Sequence, residues 1–264
     1  MSEAETVERR SKPFTDRFAT VGFLVTLVVC FVYFAQPLRA LRAPLAFVLP
    51  LALMYSVVLA AALYRKGTGE LPALPFVVGC VFVSGGVALD GIATLVMTPT
   101  LQHEVNPVAR ALLDAGLPVG FAILYGIVFQ VLFTLLVCTL WAAFLRHRET
   151  LIASAWSQSP NSMSDFIKAA VGAAHLSCRQ FFLPHPASEL PTSYHIVWLV
   201  TAGLVGGSLF RWHLGLAWLG LVAWPCYLVL LVSVLLPIAA YYAWLGSEYS
   251  KGCANDRSRH PSVP

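Results

Sequence analysis

Along most of this chain apolar residues do not alternate with polar ones; they run on unbroken. A helix needs about 20 mainly apolar residues to cross a bilayer. Six stretches fit that length: 18–35, 44–64, 74–97, 117–145, 194–212 and 216–245. The pattern predicts an all-α, polytopic membrane helix bundle of about six transmembrane helices. The fourth and sixth stretches are long enough to tilt or to project from the membrane. The first is too long for a signal-peptide core and follows a segment of mixed charge, so it reads as an uncleaved span.

Two segments between the runs have a helical period instead. In the loop 146–193, Met163, Phe166, Ile167, Ala170, Val171 and Ala174 recur on one face. They predict a cytoplasmic amphipathic helix, lying on the membrane surface or packed against the inner end of the bundle. Pro184, Pro186 and Pro191 then predict an extended approach to the fifth span. In the loop after the third span, Asn106 suits an N-cap and Pro107 the first helical position. Gly116 can end that helix in the left-handed conformation. Val108, Ala111, Leu112 and Ala115 form its apolar stripe, and Arg110 and Asp114 an i, i+4 pair. This predicts a short exoplasmic interfacial helix.

Charge gives the orientation. Lys and Arg on the cytoplasmic side outnumber those opposite in natural membrane proteins. Alternate flanks of the six runs hold thirteen and four of them. The richer side includes both termini, so both are expected in the cytoplasm of a cell-membrane protein, the inner membrane in a bacterium. The expected organisation is a cytoplasmic tail over 1–17, a transmembrane domain over 18–245 and a disordered cytoplasmic tail over 246–264.

Composition agrees: 58% of residues are hydrophobic and 11% charged, against about 25% charged in an ordinary soluble domain. The net charge of +4 comes from basic residues flanking apolar runs, where they contact lipid headgroups. No basic patch carries interleaved aromatics, which argues against nucleic acid. The bilayer and other membrane proteins are the expected partners. The six cysteines form no C-x-x-C pair and no zinc-type spacing, so neither a disulfide nor a cysteine metal site is expected.

The candidate chemistry gathers on the exoplasmic side. Asp90 falls in the outer half of the third span, where a carboxylate costs about 2.5–3.5 kcal/mol at the bilayer centre and so needs a partner. Thr94 shares its face one turn on. Gly85 and Gly86 allow a helix or ligand to approach closely one turn earlier. The chain can fold Glu104 back toward Asp90, placing both within reach of each other or of a shared basic partner. Arg110 and Arg211, the latter read as lying in the fifth loop, are the basic candidates. Asp90, Thr94, Glu104, Asn106 and Pro107 resemble the Asp-x-x-x-Thr … Glu-x-Asn-Pro signature of a prokaryotic family of small polytopic membrane proteins, a domain of unknown function. The resemblance covers about a tenth of the chain. It implies a membrane location and supplies no activity.

Three readings of the cluster Asp90, Thr94, Glu104, Asn106, Arg110 and Arg211 stay open. Asp90 can pair with Arg110 or Arg211 and lock the bundle. It can line a small-molecule or ion pathway. Asp90, His103, Glu104 and His213 can also supply oxygen and nitrogen ligands to a divalent metal, or Asp90 and Glu104 an acid/base pair for a membrane-embedded hydrolase. Val83-Ser84-Gly85-Gly86 lacks the full G-x-S-x-G pattern. Gln130 reads as an interhelical hydrogen-bonding residue, and Gly203 with Gly207 as a packing pair. With so few intramembrane polar residues and no catalytic motif, the expected function is a non-enzymatic subunit, scaffold or assembly factor of a membrane complex.

Overall fold

The computed structural model describes residues 42–101, 107–171, 190–224 and 227–259. Among the described residues there are seven helices and no strand. They are α1 (Arg42–Lys66), α2 (Ala73–Met97), α3 (Pro107–Asp114), α4 (Val119–Trp156), α5 (Met163–Val171), α6 (Leu190–Trp218) and α7 (Tyr227–Arg259). The first predicted span, 18–35, lies outside the described residues, as do His103, Glu104 and Asn106 and the loop positions Ala174, Pro184 and Pro186. Four of the helices are long and apolar enough to cross a membrane: α1 from Val48, α2, α4 and α7. α6 is 29 residues long but carries Arg211 and His213 in its last third.

The outward faces explain why these helices belong in lipid. Leu51 and Val58 of α1, Leu74 and Val81 of α2, Leu124 and Val131 of α4, and Leu228 and Leu235 of α7 are all exposed. A water-soluble monomer rarely leaves contiguous apolar surface on this scale uncovered. The inward faces pack in a chain of neighbours: α1 on α4, α4 on α2, α2 on α6 and α6 on α7.

Short-range signals set the helix ends. α3 starts at Pro107 and stops at Gly116, whose φ is +80°. The N–H of Gly116 donates to Leu113 O and that of Leu117 to Leu112 O, the bond pair of a Schellman motif. Leu112 is fully buried beside Leu49, Ala122 and Tyr125, so α3 wedges between α1 and α4 and is not merely laid on their ends. Gly220 ends α6 by the same device, with φ +71° and bonds from Gly220 N to Ala217 O and Leu221 N to Leu216 O. At α5, Ser162 Oγ takes the Asp165 N–H at 3.1 Å and donates to Asp165 Oδ2 at 2.8 Å. Replacing a capping serine costs about 1 kcal/mol, so Ser162→Ala is expected to lower stability by that amount in a detergent unfolding titration.

Length then separates the two ends of the bundle. At 1.5 Å per residue α4 is about 57 Å long and α7 about 50 Å, against a hydrocarbon core of about 30 Å. Both overrun at the end where α1 finishes with Arg65 and Lys66; α5 packs there against α4, α6 and α7. Phe166, Ala169 and Ala170 of α5 are buried against Ala155 and Leu245. Trp156 stacks on Tyr249 with ring centroids 5.6 Å apart, and Phe166 closes on both rings. Of the two placements open to the amphipathic helix, the structure takes packing against the bundle. The same packing corrects the expected tail: residues 246–259 are helical as part of α7, because Tyr249 and Gly252 lie against Trp156. The extended approach to the fifth span is also corrected at its last position, since Pro191 lies in the first turn of α6, where a missing N–H costs nothing.

A clamp at this end joins α1, the turn that follows it and α4. Arg146 donates from Nε to Gly69 O at 3.0 Å and from Nη1 to Tyr64 O at 3.1 Å, with its guanidinium 4.7 Å above the Tyr64 ring. Gly69 N returns a bond to Arg146 O, and His147 Nε2 meets Leu63 O at 2.9 Å. An added Cβ at Gly69 would sit 2.5 Å from Arg146 O, so only glycine lets the turn close. A lysine cannot reproduce the forked pair of bonds. Arg146→Lys is expected to cost about 1.5 kcal/mol, the loss of one charge-assisted hydrogen bond, read in the same titration.

Candidate functional site

The site grows from a close crossing of α2 and α6. An added Cβ at Gly86 would meet Trp212 Cδ1 at 2.7 Å and Ser208 O at 2.8 Å; one at Gly85 would meet Trp212 Cζ2 at 2.6 Å. Trp212 therefore lies against the two glycines, and its Nε1 donates to Phe82 O at 2.8 Å. On the facing helix, a Cβ at Gly215 would meet Leu89 Cγ at 2.6 Å and Asp90 N at 3.0 Å. Small residues on both helices bring the backbones together around Asp90. What approaches Gly85 and Gly86 is a neighbouring helix.

Arg211 Nη1 lies 3.5 Å from Asp90 Oδ2, and each side chain is only 16% exposed. Both sit about two turns, or about 10 Å, before the ends of their helices, at the end of the bundle where α3 packs. Arg211 also lies over the Phe133 ring of α4, 5.1 Å from its centroid, a cation–π contact. The one residue thus joins α2, α4 and α6. The fifth-loop position expected for Arg211 is corrected: it lies inside α6. The helix continues past it because Trp212 and Gly215 have packing partners on α2. Gln130 of α4 rests on Gly91, beside Asp90: a Cβ there would be 2.7 Å from its Oε1.

The other candidates fall elsewhere or outside the described residues. Thr94 offers its carbonyl to the N–H and hydroxyl of Thr98, both at 2.8 Å. Arg110 Nε lies 3.4 Å from Asp114 Oδ1 on the exposed face of α3. His213 turns its Nε2 to Ala223 O at 3.0 Å, bracing the α6–α7 turn. His103 and Glu104, the middle two of the four metal candidates, and Asn106 are not among the described residues. Among the described residues no three His, Cys, Asp or Glu side chains gather as a metal site. Ser84 spends its hydroxyl on Cys80 O at 2.7 Å, as helical serines in membranes do.

No family model, no curated protein and no solved structure matches this chain.

Sequence reasoning named Asp90 and Arg211 but missed Trp212, Phe133 and Gly215, which hold them. Gly215 carried a signal, a small residue one turn after the arginine, but it fell in what read as a loop. The arrangement is chemically economical: a carboxylate and a guanidinium cancel one another's charge between helices, with an aromatic face behind the cation. Such a pair is suited to fixing helix register. Separating the charges would leave each one uncompensated in a poorly solvated place.

Proposed function

We propose that this chain is a non-enzymatic subunit, scaffold or assembly factor of a membrane complex, and that Asp90–Arg211 is its internal lock. One observation carries the reading: Asp90 and Arg211, equally shielded between α2 and α6, pair with each other at 3.5 Å. A transporter or a hydrolase needs such a carboxylate available for a ligand. The reading includes six spans, with α6 and the 18–35 stretch added to the four apolar helices, and both termini in the cytoplasm. The projecting ends of α4 and α7 with α5 then form a cytoplasmic platform, and α3 lies at the exoplasmic end.

Two measurements test it. Reporter fusions inserted at 157–162 and after 259 are expected to read as cytoplasmic, and one at 116–118 as exoplasmic; the reverse pattern would overturn the topology. The protein extracted from its native membrane in mild detergent is expected to migrate in an assembly with other chains, and to lose that assembly in Asp90→Asn. Solute flux into liposomes that disappears in Asp90→Asn would establish the transport alternative instead. A stoichiometric metal lost from both Asp90→Ala and Glu104→Ala would establish the metal-dependent one.

A further inference from the structure

Two short turns close the bundle at opposite ends, and their chemistry is opposite. Between α4 and α5 stand Ser157, Gln158, Ser159, Pro160, Asn161 and Ser162, a stretch suited to water. After α6 stand Leu219, Gly220, Leu221, Val222, Ala223 and Trp224, all exposed, with no polar side-chain group beyond the Trp224 indole N–H. Leu221 is 68% and Trp224 56% exposed. The turn is held in this form. Gly220 closes α6 at φ +71°, His213 Nε2 meets Ala223 O at 3.0 Å, and the Trp224 ring stands edge-on to Trp218 with centroids 4.7 Å apart. The apolar surface continues on α7, where Leu228, Leu231 and Leu235 are exposed at helical spacing. α7 also sets the depth. From Leu228 to Leu245 it rises about 26 Å, close to a hydrocarbon core of about 30 Å, and Glu248 and Lys251 follow. With those charges among the headgroups of one leaflet, the turn meets the hydrocarbon boundary of the other.

We propose that residues 219–224 are a lipid-seated anchor: the turn lies at the boundary of headgroups and acyl chains and contacts phospholipid, not water and not another chain. The level follows from three limits. A shallower seat would leave Leu219, Leu221, Val222 and Trp224 as one apolar patch in water. A deeper one would carry backbone N–H and C=O groups outside any helix into hydrocarbon, where nothing satisfies them. Tryptophan favours the boundary itself, with its ring among acyl chains and its N–H among headgroups. The occupant follows from continuity, since the turn prolongs the lipid-facing surface of α7 without a polar break. Seated so, the turn places Arg211, two helical turns before the end of α6, about 10 Å deeper than the boundary. The seat depends on α7 and the turn alone. It holds whether or not the chain is a complex subunit, and whichever side of the membrane this end faces.

The test places the photoreactive residue benzoylphenylalanine at Leu221 of the full chain, irradiates it in the native membrane and identifies the adduct by mass spectrometry. A phospholipid adduct as the dominant product is expected. A dominant adduct with a second copy of this chain or with another protein would overturn the proposal. A second measurement needs no bulky probe. In liposomes, the fluorescence that Trp224→Phe removes from the wild-type signal is expected to be quenched by phospholipids brominated on their acyl chains and to be insensitive to iodide in the water. Quenching by iodide and not by the brominated lipids would place the turn in water and overturn the proposal as well.

Discussion

Asp90→Leu combined with Arg211→Met is expected to leave the protein about as stable as the wild type, whereas either change alone is expected to cost about 3–5 kcal/mol. The asymmetry follows from the environment. Each side chain is 16% exposed, and the two lie 3.5 Å apart. Deleting the carboxylate strands a guanidinium between α2 and α6 with the Phe133 face as its remaining contact. Deleting the guanidinium takes from the Asp90 carboxylate its Arg211 partner in a part of the chain read as membrane-spanning. Removing both replaces the two charges of the pair by apolar groups of similar length and leaves neither of them without the other. The four proteins of this cycle would be compared by unfolding in mixed detergent–SDS micelles. A strong positive coupling, with the double variant well above the sum of the singles, is the signature of a lock. Single losses that simply add, or a stable but inactive Asp90→Leu, would show that Asp90 serves something other than Arg211.

What the sequence made legible follows range. α3 was readable from Pro107, Gly116 and the Arg110–Asp114 spacing because each rule acts within one or two turns; the structure places α3 at Pro107–Asp114 with Gly116 at φ +80°. The apolar helices were readable because lipid imposes a long uniform pattern. The misplacements came from tertiary contacts. Arg211 and His213 looked like loop residues because charge interrupts an apolar run, yet Trp212 and Gly215 carry α6 onward by packing on Phe82, Leu89 and Asp90. The polar stretch after 246 looked disordered, yet Tyr249 stacks on Trp156 and keeps it helical. Arg146 counted only as a topology signal, although its two carbonyl acceptors lie in α1 and the turn that follows it. For the site, one charge partner was legible as an alternative, and the residues that position it were not.

The glycines of α6 supply the second large effect. Gly206→Val is expected to cost about 3 kcal/mol, while Gly203→Val, one turn earlier, is expected to be nearly silent. By spacing alone Gly203 and Gly207 form the packing pair, and Gly206 goes unnoticed. The structure shifts the register by one residue. A Cβ at Gly203 meets nothing within 4 Å, and one at Gly207 meets only Phe133 Cζ at 3.9 Å. At Gly206 a Cβ would lie 2.4 Å from Ser233 O and 2.8 Å from Val234 Cα, both backbone atoms of α7. Backbone cannot rotate away as a side chain can, so the only relief is to push α6 and α7 apart. That separation would reach Arg211, a turn and a half along α6, and loosen its hold on Asp90. The check is a pair of unfolding titrations beside the thermal midpoint of each variant. Equal losses at the two positions would mean that α6 meets α7 in the register that the Gly203–Gly207 spacing implies. A loss confined to Gly206 would fix the face of α6 turned to α7, and with it the face that presents Arg211 to Asp90.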